Sequence, residues 1–256
     1  MIRALPEMFK GAWPVSSFGD TYPGHRSVPG AWPTGSYVCW PNENGGLIAA
    51  LKETRDGTEL VSVSPLAGHG VQVGVGIKKV HVWSDGAEAQ IEGTWGDSQV
   101  SFYDLTFLRN RAWYEVGKRR EFILSGIAYE ARRPAAQKLA VDPSSFLSEW
   151  LDDQAGIKGG PEPEISLEGS SVLLRVDEWD RDDYTFRGPV RKVTPFDDWL
   201  GQSGWRVRVC VMRFDSKDAE LDVFVTDKVW SDPEPPKVGE DIEGTLWMQG
   251  QLWWAA

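Results

Sequence analysis

The 256-residue sequence has little cysteine and little histidine. It contains two cysteines, Cys39 and Cys210, no CxxC pair, and three histidines that do not share a helical ligand spacing. Disulfide frameworks and zinc sites need more of these residues in closer patterns. We therefore expect two buried free thiols, no metal or other cofactor, and a cytoplasmic protein.

Motifs of catalysis are also missing. Gly117-Lys118 lacks the first glycine of a P-loop, because Ala112 stands in its place, and the glycines of residues 68–76 do not form GxGxxG. HExxH and GxSxG do not occur. These motifs carry nucleotide binding, metal-assisted hydrolysis and acyl transfer in many enzymes. The sequence therefore favours a non-enzymatic protein, and an enzyme without a recognisable motif is the weakest alternative.

Long apolar runs are absent as well. The opening MIRALPEMFK is interrupted by Glu7 and Lys10. The longest uncharged stretch, residues 60–77, contains Pro65 and several glycines among alternating valines. A signal-peptide core or a membrane helix needs an uninterrupted apolar segment. We therefore expect no association with a membrane.

Positive charge is the last scarce feature. Lys and Arg total 27 against 38 Asp and Glu, which gives a net charge of −11. Residues 1–135 carry 14 basic and 14 acidic side chains, so the whole negative excess lies in residues 136–256. Proteins that bind phosphate backbones usually cluster Lys and Arg. The charge therefore argues against nucleic-acid binding strongly in the C-terminal half and weakly in the N-terminal half.

Tryptophan is abundant, with 14 residues, and strand patterns dominate the rest of the chain. The clearest pattern is a hairpin that spans residues 205–225. Val207 and its alternate neighbours form one apolar face, whereas Arg206 and Arg208 lie on the other face. We expect one of these two arginines to pair with Asp222 across the hairpin.

The pattern divides the chain into four segments. Residues 1–46 form an irregular arm rich in Trp, Pro and Gly, and residues 47–134 form a first β-barrel. Residues 135–165 are a Gly/Pro linker with a helix at about 143–155, which begins after Asp-Pro and ends at a glycine. Residues 166–256 form a second, acidic β-barrel.

A weak internal repeat relates the two predicted barrels. When Val116-Gly117 is aligned with Val238-Gly239, three further matches occur at the same offset: Phe102 with Phe224, Glu121 with Glu243, and Leu124 with Leu246. A second alignment, of residues 91–95 with residues 242–247, has a different register, so the two are mutually exclusive. Duplication and coincidence between β-rich segments both remain open at this point.

A family resemblance rests on the C-terminal half. The run DYTFRGPVRKV, then WRVRVCVMR, ELDVFVT and PKVGEDIEGTLWMQGQL, resembles the strand succession of an OB-fold barrel, including its Val-Gly-Glu-Asp turn. The resemblance covers residues 183–252 and, more faintly, residues 71–131. It implies a mainly β protein with two small OB-like barrels in tandem. OB-folds bind oligonucleotides, oligosaccharides or proteins, so the ligand class stays open.

The segment Phe102–Arg120 interleaves aromatic and basic side chains, a combination that holds single-stranded nucleic acid in many proteins. In the alternative interpretation, the aromatic side chains fill the core of the first barrel and the cations lie on its rim. The predicted hairpin adds three outward side chains. The candidate ligand-binding residues are Phe102, Tyr103, Arg109, Arg111, Trp113, Tyr114, Lys118, Arg119, Arg120, Arg206, Arg208 and Phe224.

The acidic run Asp177–Asp183 is a candidate calcium loop, but Tyr184 stands at a ligand position and the loop glycine is missing. A solvated turn is the favoured interpretation.

An acidic surface with many aromatic side chains suits a basic or mixed protein surface. We therefore expect a protein partner, in an adaptor, inhibitor or immunity-type role. The alternative is a single-stranded nucleic acid bound at Phe102–Arg120.

Overall fold

The computed structural model describes residues 11–19, 33–136, 138–140, 164–214 and 217–253. Within these ranges the chain forms β-strands almost throughout, with one single-turn α-helix and one 3-10 turn. This confirms the mainly β fold. The predicted helix at 143–155, together with most of the predicted linker, lies outside the described residues.

Four strands form an antiparallel sheet in chain order: β1 (Trp13–Phe18), β2 (Gly35–Asn42), β3 (Gly45–Thr54) and β4 (Gly57–Ala67). The sequence predicts an irregular arm up to residue 46, and the described part of that segment is instead largely strand. The prolines that suggested irregular structure are accommodated because Pro14 lies on the edge strand and Pro41 lies near the end of β2.

Nine strands form the second sheet. They are β5 (Val71–Val82), β6 (Ala89–Trp95), β7 (Ser98–Asp104), β8 (Arg119–Arg132), β11 (Val172–Arg175), β12 (Asp183–Trp199), β13 (Gln202–Phe214), β14 (Lys217–Thr226) and β15 (Asp241–Leu252). Helix α1 (Phe107–Asn110) and the 3-10 turn Arg111–Trp113 connect β7 to β8. The short strands β9 (Lys138–Ala140) and β10 (Glu164–Ser166) pair with each other.

The nine-stranded sheet closes on itself twice. Strands β5-β6-β7-β15-β8 form one ring, because β8 pairs with β5. Strands β12-β13-β14-β8-β15 form a second ring, because β15 pairs with β12. The molecule therefore contains two closed, barrel-like rings that share the two long strands β8 and β15.

Each ring is a Greek key completed by a strand from the other half. In the first ring β5, β6 and β7 follow one another and β8 returns beside β5, while β15 runs parallel to β7. In the second ring β8 runs parallel to β14. The barrels predicted over 47–134 and 166–256 are thus interlocked, because long-range pairing of β8 with β15 joins them into one sheet. Strands β3 and β4, predicted to begin the first barrel, lie in the four-stranded sheet.

The structure repeats along the Val-Gly alignment. Gly117 and Gly239 both have positive φ, at 84° and 91°. The amide of Gly117 donates to the carbonyl of Ile77 (2.8 Å), and the amide of Gly239 donates to the carbonyl of Val190 (2.9 Å). The connections of equal length, 105–118 and 227–240, precede the shared strands. The competing alignment matches β6 with β15, which occupy different positions in the rings.

The interiors of the two rings form one continuous hydrophobic core. Its fully buried members come from both halves and include Phe102, Phe122, Tyr184, Phe186 and Leu246. Burial of an aromatic or aliphatic side chain of this size stabilises a fold by about 1.5–3 kcal/mol. The shared core explains why the two rings form a single packed unit.

The four-stranded sheet packs on the outside of the first ring. Phe18, Tyr37 and Ile48 of this sheet form one buried cluster with Tyr103 and Leu105. Two polar contacts fasten the end of β4. The side chain of Gln249 accepts a hydrogen bond from the amide of Ala67 (2.9 Å), and the indole of Trp199 donates to the carbonyl of Leu66 (2.9 Å). The sheet is therefore attached to both β15 and β12.

Candidate functional site

The aromatic side chains of the segment Phe102–Arg120 point into the protein. Phe102 lies in the ring core and is 0% exposed. Tyr103 faces the opposite way but is covered by the four-stranded sheet. The hydroxyl of Tyr114 donates to the buried carboxylate of Asp104, and burial raises the pKa of that carboxylate to about 6. These rings hold the β7–β8 connection in place and offer little surface to a ligand.

The cations of the same segment lie at the edge of the first ring. Lys118 and Arg119 are exposed, and Arg120 is half-buried with its guanidinium donating to the carbonyl of Trp113 (3.2 Å). Arg109, Arg111 and Trp113 are also half-buried. The arrangement matches the alternative in which the aromatic side chains fill the interior and the cations form its rim.

The predicted hairpin is present as β13 and β14, with Arg208 opposite Asp222 and Arg206 opposite Phe224. Arg208 forms a bidentate pair with the buried Asp222, at 2.8 and 2.9 Å. The expected cross-strand pair is therefore confirmed for Arg208. The side chain of Arg206 forms no hydrogen bond or ion pair within the described ranges, although the residue is half-buried.

Arg206 and Phe224 line a cleft of about 250 Å³ on the outside of the second ring. Phe196, near the end of β12, stacks on Phe224 with ring centroids 5.6 Å apart and an interplanar angle of 26°. The buried indole of Trp199 lies 6.4 Å from Phe224 and closes the floor. Gly45 allows the β2–β3 hairpin to approach, since a Cβ there would lie 2.8 Å from the Trp199 ring. The cleft thus has an aromatic wall and floor.

Polar groups from three separate segments surround this aromatic floor. His69 comes from the β4–β5 connection, Asn42 and Asn44 come from the β2–β3 hairpin, and Asp197 and Asp198 are exposed beside Phe196. Burial and the nearby Arg206 guanidinium lower the pKa of His69. The imidazole is therefore neutral at pH 7 and offers one donor and one acceptor.

The internal repeat relates this cleft to a filled position on the first ring. The cross-strand pair Arg206–Phe224 corresponds to the pair Gln90–Tyr103. Gln90 and Tyr103 are only 6% and 5% exposed, because Gln90 donates to Asp182 (2.8 Å) and the four-stranded sheet covers Tyr103. Phe224 is equally covered, at 4% exposed, and Ala67 of the four-stranded sheet packs in its cluster. The two positions therefore differ at the other member of each pair: Gln90 is buried and bonded to Asp182, whereas Arg206 is half-buried and lines the cleft.

The acidic run Asp177–Asp183 is not a simple solvated turn. Asp182 is buried and accepts hydrogen bonds from Gln90 and from the indole of Trp247 (3.0 Å), and burial raises its pKa to about 6. Asp183 accepts from the hydroxyl of Tyr129 (2.8 Å). Two of the carboxylates are thus engaged by protein donors. In the part of the chain that the structure describes, no three His, Cys, Asp or Glu side chains form a metal site.

Comparison with protein-family models, curated proteins and solved structures finds no match to this chain. Among the described residues, no helix has the length and apolar character needed to cross a membrane.

Sequence reasoning identified Arg206 and Phe224 but missed the residues that make them a cleft. Phe196 and Trp199 form the aromatic surroundings, and His69 reaches the site from the other half of the chain. The local signal was weak: two aromatic residues flank Asp197-Asp198 just before a turn. No sequence pattern predicts that His69 belongs to this site, because only the pairing of the shared strands brings the β4–β5 connection beside β13.

Proposed function

We propose that each ring is an OB-type barrel. An OB-fold is a five-stranded Greek-key barrel whose second and third strands carry the ligand-binding face. The five-membered rings and their Greek-key order support this assignment. In the second ring the second and third strands are β13 and β14, which carry Arg206, Arg208 and Phe224.

We propose that the protein is a non-enzymatic binding protein and that the cleft at Arg206 takes a segment of a protein partner. The supporting observation is the difference between repeat-related side chains: Gln90 is buried and hydrogen-bonded to Asp182, whereas Arg206 is half-buried, lines a cleft and has no side-chain hydrogen-bond or ion-pair partner within the described ranges. An external polypeptide would supply Arg206 with the carboxylate partner that Asp182 supplies to Gln90.

The chemistry of the cleft favours one side chain and its flanking backbone. A volume of about 250 Å³ lies below the range of about 300–1,000 Å³ typical of small-molecule pockets. The half-buried guanidinium of Arg206 is available to a carboxylate, and the half-buried ring of Phe196, which stacks on the covered Phe224, suits an apolar or aromatic neighbour. Asp197 and Asp198 at the rim make a polyanion an unsuitable ligand. A peptide that combines one acidic residue with an apolar one fits best.

Selection from a displayed library of random dodecapeptides tests this function. Peptides are selected on the wild-type protein alone, and the affinity of the enriched peptides is then measured for each variant. We expect enrichment of sequences with an acidic residue next to an aromatic or aliphatic one. Their affinity should fall about 10- to 100-fold in Arg206→Glu, since charge-assisted hydrogen bonds contribute about 1.5–3 kcal/mol. Phe196→Ala should weaken them as well.

Arg213→Gln is the matched control, because Arg213 is an exposed arginine of the same hairpin that faces Asp218 and lies outside the cleft. Its peptide affinity should equal that of the wild type. Enriched peptides that bind the wild type, Arg206→Glu and Arg213→Gln equally, or a selection without enrichment, would contradict the proposed site.

The alternative, single-stranded nucleic acid at Phe102–Arg120, makes a different prediction. Labelled single-stranded DNA and RNA would bind at low salt, and binding would weaken steeply as salt rises. Since the aromatic rings of that segment are mostly covered, we expect flat fluorescence anisotropy for both probes up to high protein concentration. Salt-sensitive micromolar binding would instead favour the nucleic-acid function.

A further inference from the structure

A second surface feature lies at the start of β12, away from the cleft residues. The rings of Trp179 and Tyr129 meet nearly at right angles, with centroids 5.7 Å apart and an interplanar angle of 79°. Both are large and exposed, at 51% and 48%. Together with the carboxylates of Asp180 and Asp183 they form what we call the Trp179 corner.

One carboxylate of the Trp179 corner, that of the buried Asp183, is held in place by local hydrogen bonds. The hydroxyl of Tyr129 donates to Oδ1 of Asp183 (2.8 Å), and the backbone amide of Asp180 donates to Oδ2 of Asp183 (3.1 Å). The Asp180 side chain itself is exposed beside them. Two aromatic walls and the Asp180 carboxylate thus face solvent at one place, with the buried Asp183 beneath the Tyr129 hydroxyl, and so much exposed ring surface is unusual.

The same protein shows what this combination of groups recognises. The guanidinium of Arg133 lies 5.6 Å from the ring centre of Trp230. It also donates to Glu240 at 2.9 and 3.0 Å, and Asp232 lies 3.9 Å away. An indole with two carboxylates therefore holds an arginine inside the fold. The Trp179 corner has the same components, and within the described ranges no cationic side chain stacks on either of its rings.

We propose that the Trp179 corner binds an arginine side chain of a protein or peptide ligand. The guanidinium stacks on the Trp179 and Tyr129 faces, and Asp180 neutralises its charge. This site goes beyond the cleft at Arg206, and its existence does not depend on that cleft. The negative charge of the C-terminal half would guide a basic ligand toward it.

The test uses the acetylated peptide amide Gly-Arg-Gly-Arg-Gly and its citrulline analogue, which keeps the shape of arginine and loses the charge. Binding is followed by NMR of the tryptophan indole N–H signals, with the Trp179 signal assigned through its loss in Trp179→Phe. We expect a saturable shift of the Trp179 signal with the arginine peptide and none with the citrulline peptide. Equal shifts with both peptides would overturn the proposal.

Matched variants separate the corner from general attraction to an acidic protein. Trp179→Ala leaves the charge unchanged but has no Trp179 signal, so the affinities of all variants are compared by fluorescence anisotropy of a labelled arginine peptide. In Trp179→Ala the affinity for this peptide should fall about 3- to 30-fold, as expected for loss of a cation–π contact. Trp253→Ala removes an indole of similar exposure (46%) elsewhere and should have no effect. Tyr129→Phe keeps the aromatic ring, so its affinity for the arginine peptide should lie within twofold of the wild-type affinity. Unchanged affinity in Trp179→Ala, or an equal loss in Trp253→Ala, would refute the site.

Discussion

The contact between Gln249 and β4 supports a quantitative prediction. Gln249 is 0% exposed, and its side chain both accepts from the amide of Ala67 (2.9 Å) and donates to the carbonyl of Pro65 (3.3 Å). Replacement by Met keeps the length of the side chain and removes both hydrogen bonds. The amide of Ala67 is then buried without a partner, whereas the carbonyl of the exposed Pro65 can accept a hydrogen bond from water.

The expected cost follows from the fate of these two groups. An unsatisfied buried amide costs about 1–3 kcal/mol, and the second hydrogen bond adds about 0.5–1.5 kcal/mol. The apolar Met side chain recovers ~1 kcal/mol through its better burial. We therefore expect Gln249→Met to lower the free energy of unfolding by about 1–3 kcal/mol.

Urea denaturation measures the global effect, and amide hydrogen exchange measures the local one. Exchange at Ala67 should accelerate more than exchange in β13, because the end of β4 is released first. Ala67 packs in the same cluster as Trp199 and Phe224, so peptide affinity at the cleft should also fall although no cleft side chain has changed. Gln251→Met, on the same strand and with no side-chain contact to β4, is the control. A loss under about 0.5 kcal/mol with unchanged exchange at Ala67 would refute the assigned role of Gln249.

Two further predictions concern buried charge and a close backbone approach. Burial raises the pKa of Asp182 from 3.8 to about 6, so between these pH values the folded state keeps a proton that the unfolded state releases. The protonated carboxyl therefore contributes to the free energy of unfolding below pH 4, and this contribution is lost as the pH rises through 6. The free energy of unfolding of Asp182→Asn should therefore rise by up to about 3 kcal/mol relative to that of the wild type as the pH goes from 4 to 7. If urea denaturation gives a difference between the two proteins that does not change with pH, the raised pKa of Asp182 is excluded. Gly45→Ala should destabilise the protein by about 1–2 kcal/mol more than Gly57→Ala, because both positions have positive φ but only Gly45 would place its Cβ against Trp199. Equal melting temperatures for the two variants would contradict that packing.

Part of this architecture was predictable because it depends on local periodicity. Alternation of apolar and polar residues identified the β13–β14 hairpin and the arginine face that pairs with Asp222. The cysteine count predicted the two free, buried thiols, Cys39 and Cys210. The Val-Gly offset identified the repeat, although β7 and β14 are shifted by one residue, so that Tyr103 rather than Phe102 corresponds to Phe224.

That one-residue shift shows why the candidate site was only half predictable. Phe102 and Phe224 match in sequence, yet Phe102 faces the ring core and Phe224 faces outward. In a strand, adjacent side chains point to opposite faces, so a shift of one residue exchanges buried and outward positions. Sequence matching therefore grouped one core residue with one cleft residue.

By itself the sequence determined that the chain is mainly β, and it located the β13–β14 hairpin and its two faces, because both follow from interactions between near neighbours in the chain. Only the tertiary structure decided that β8 and β15 each serve both rings, and that His69, Phe196 and Arg206 meet at one cleft. The physical reason is that backbone hydrogen bonds pair any two compatible strands. Which strands pair with each other depends on the burial of a shared core, and the local sequence pattern does not predict that burial.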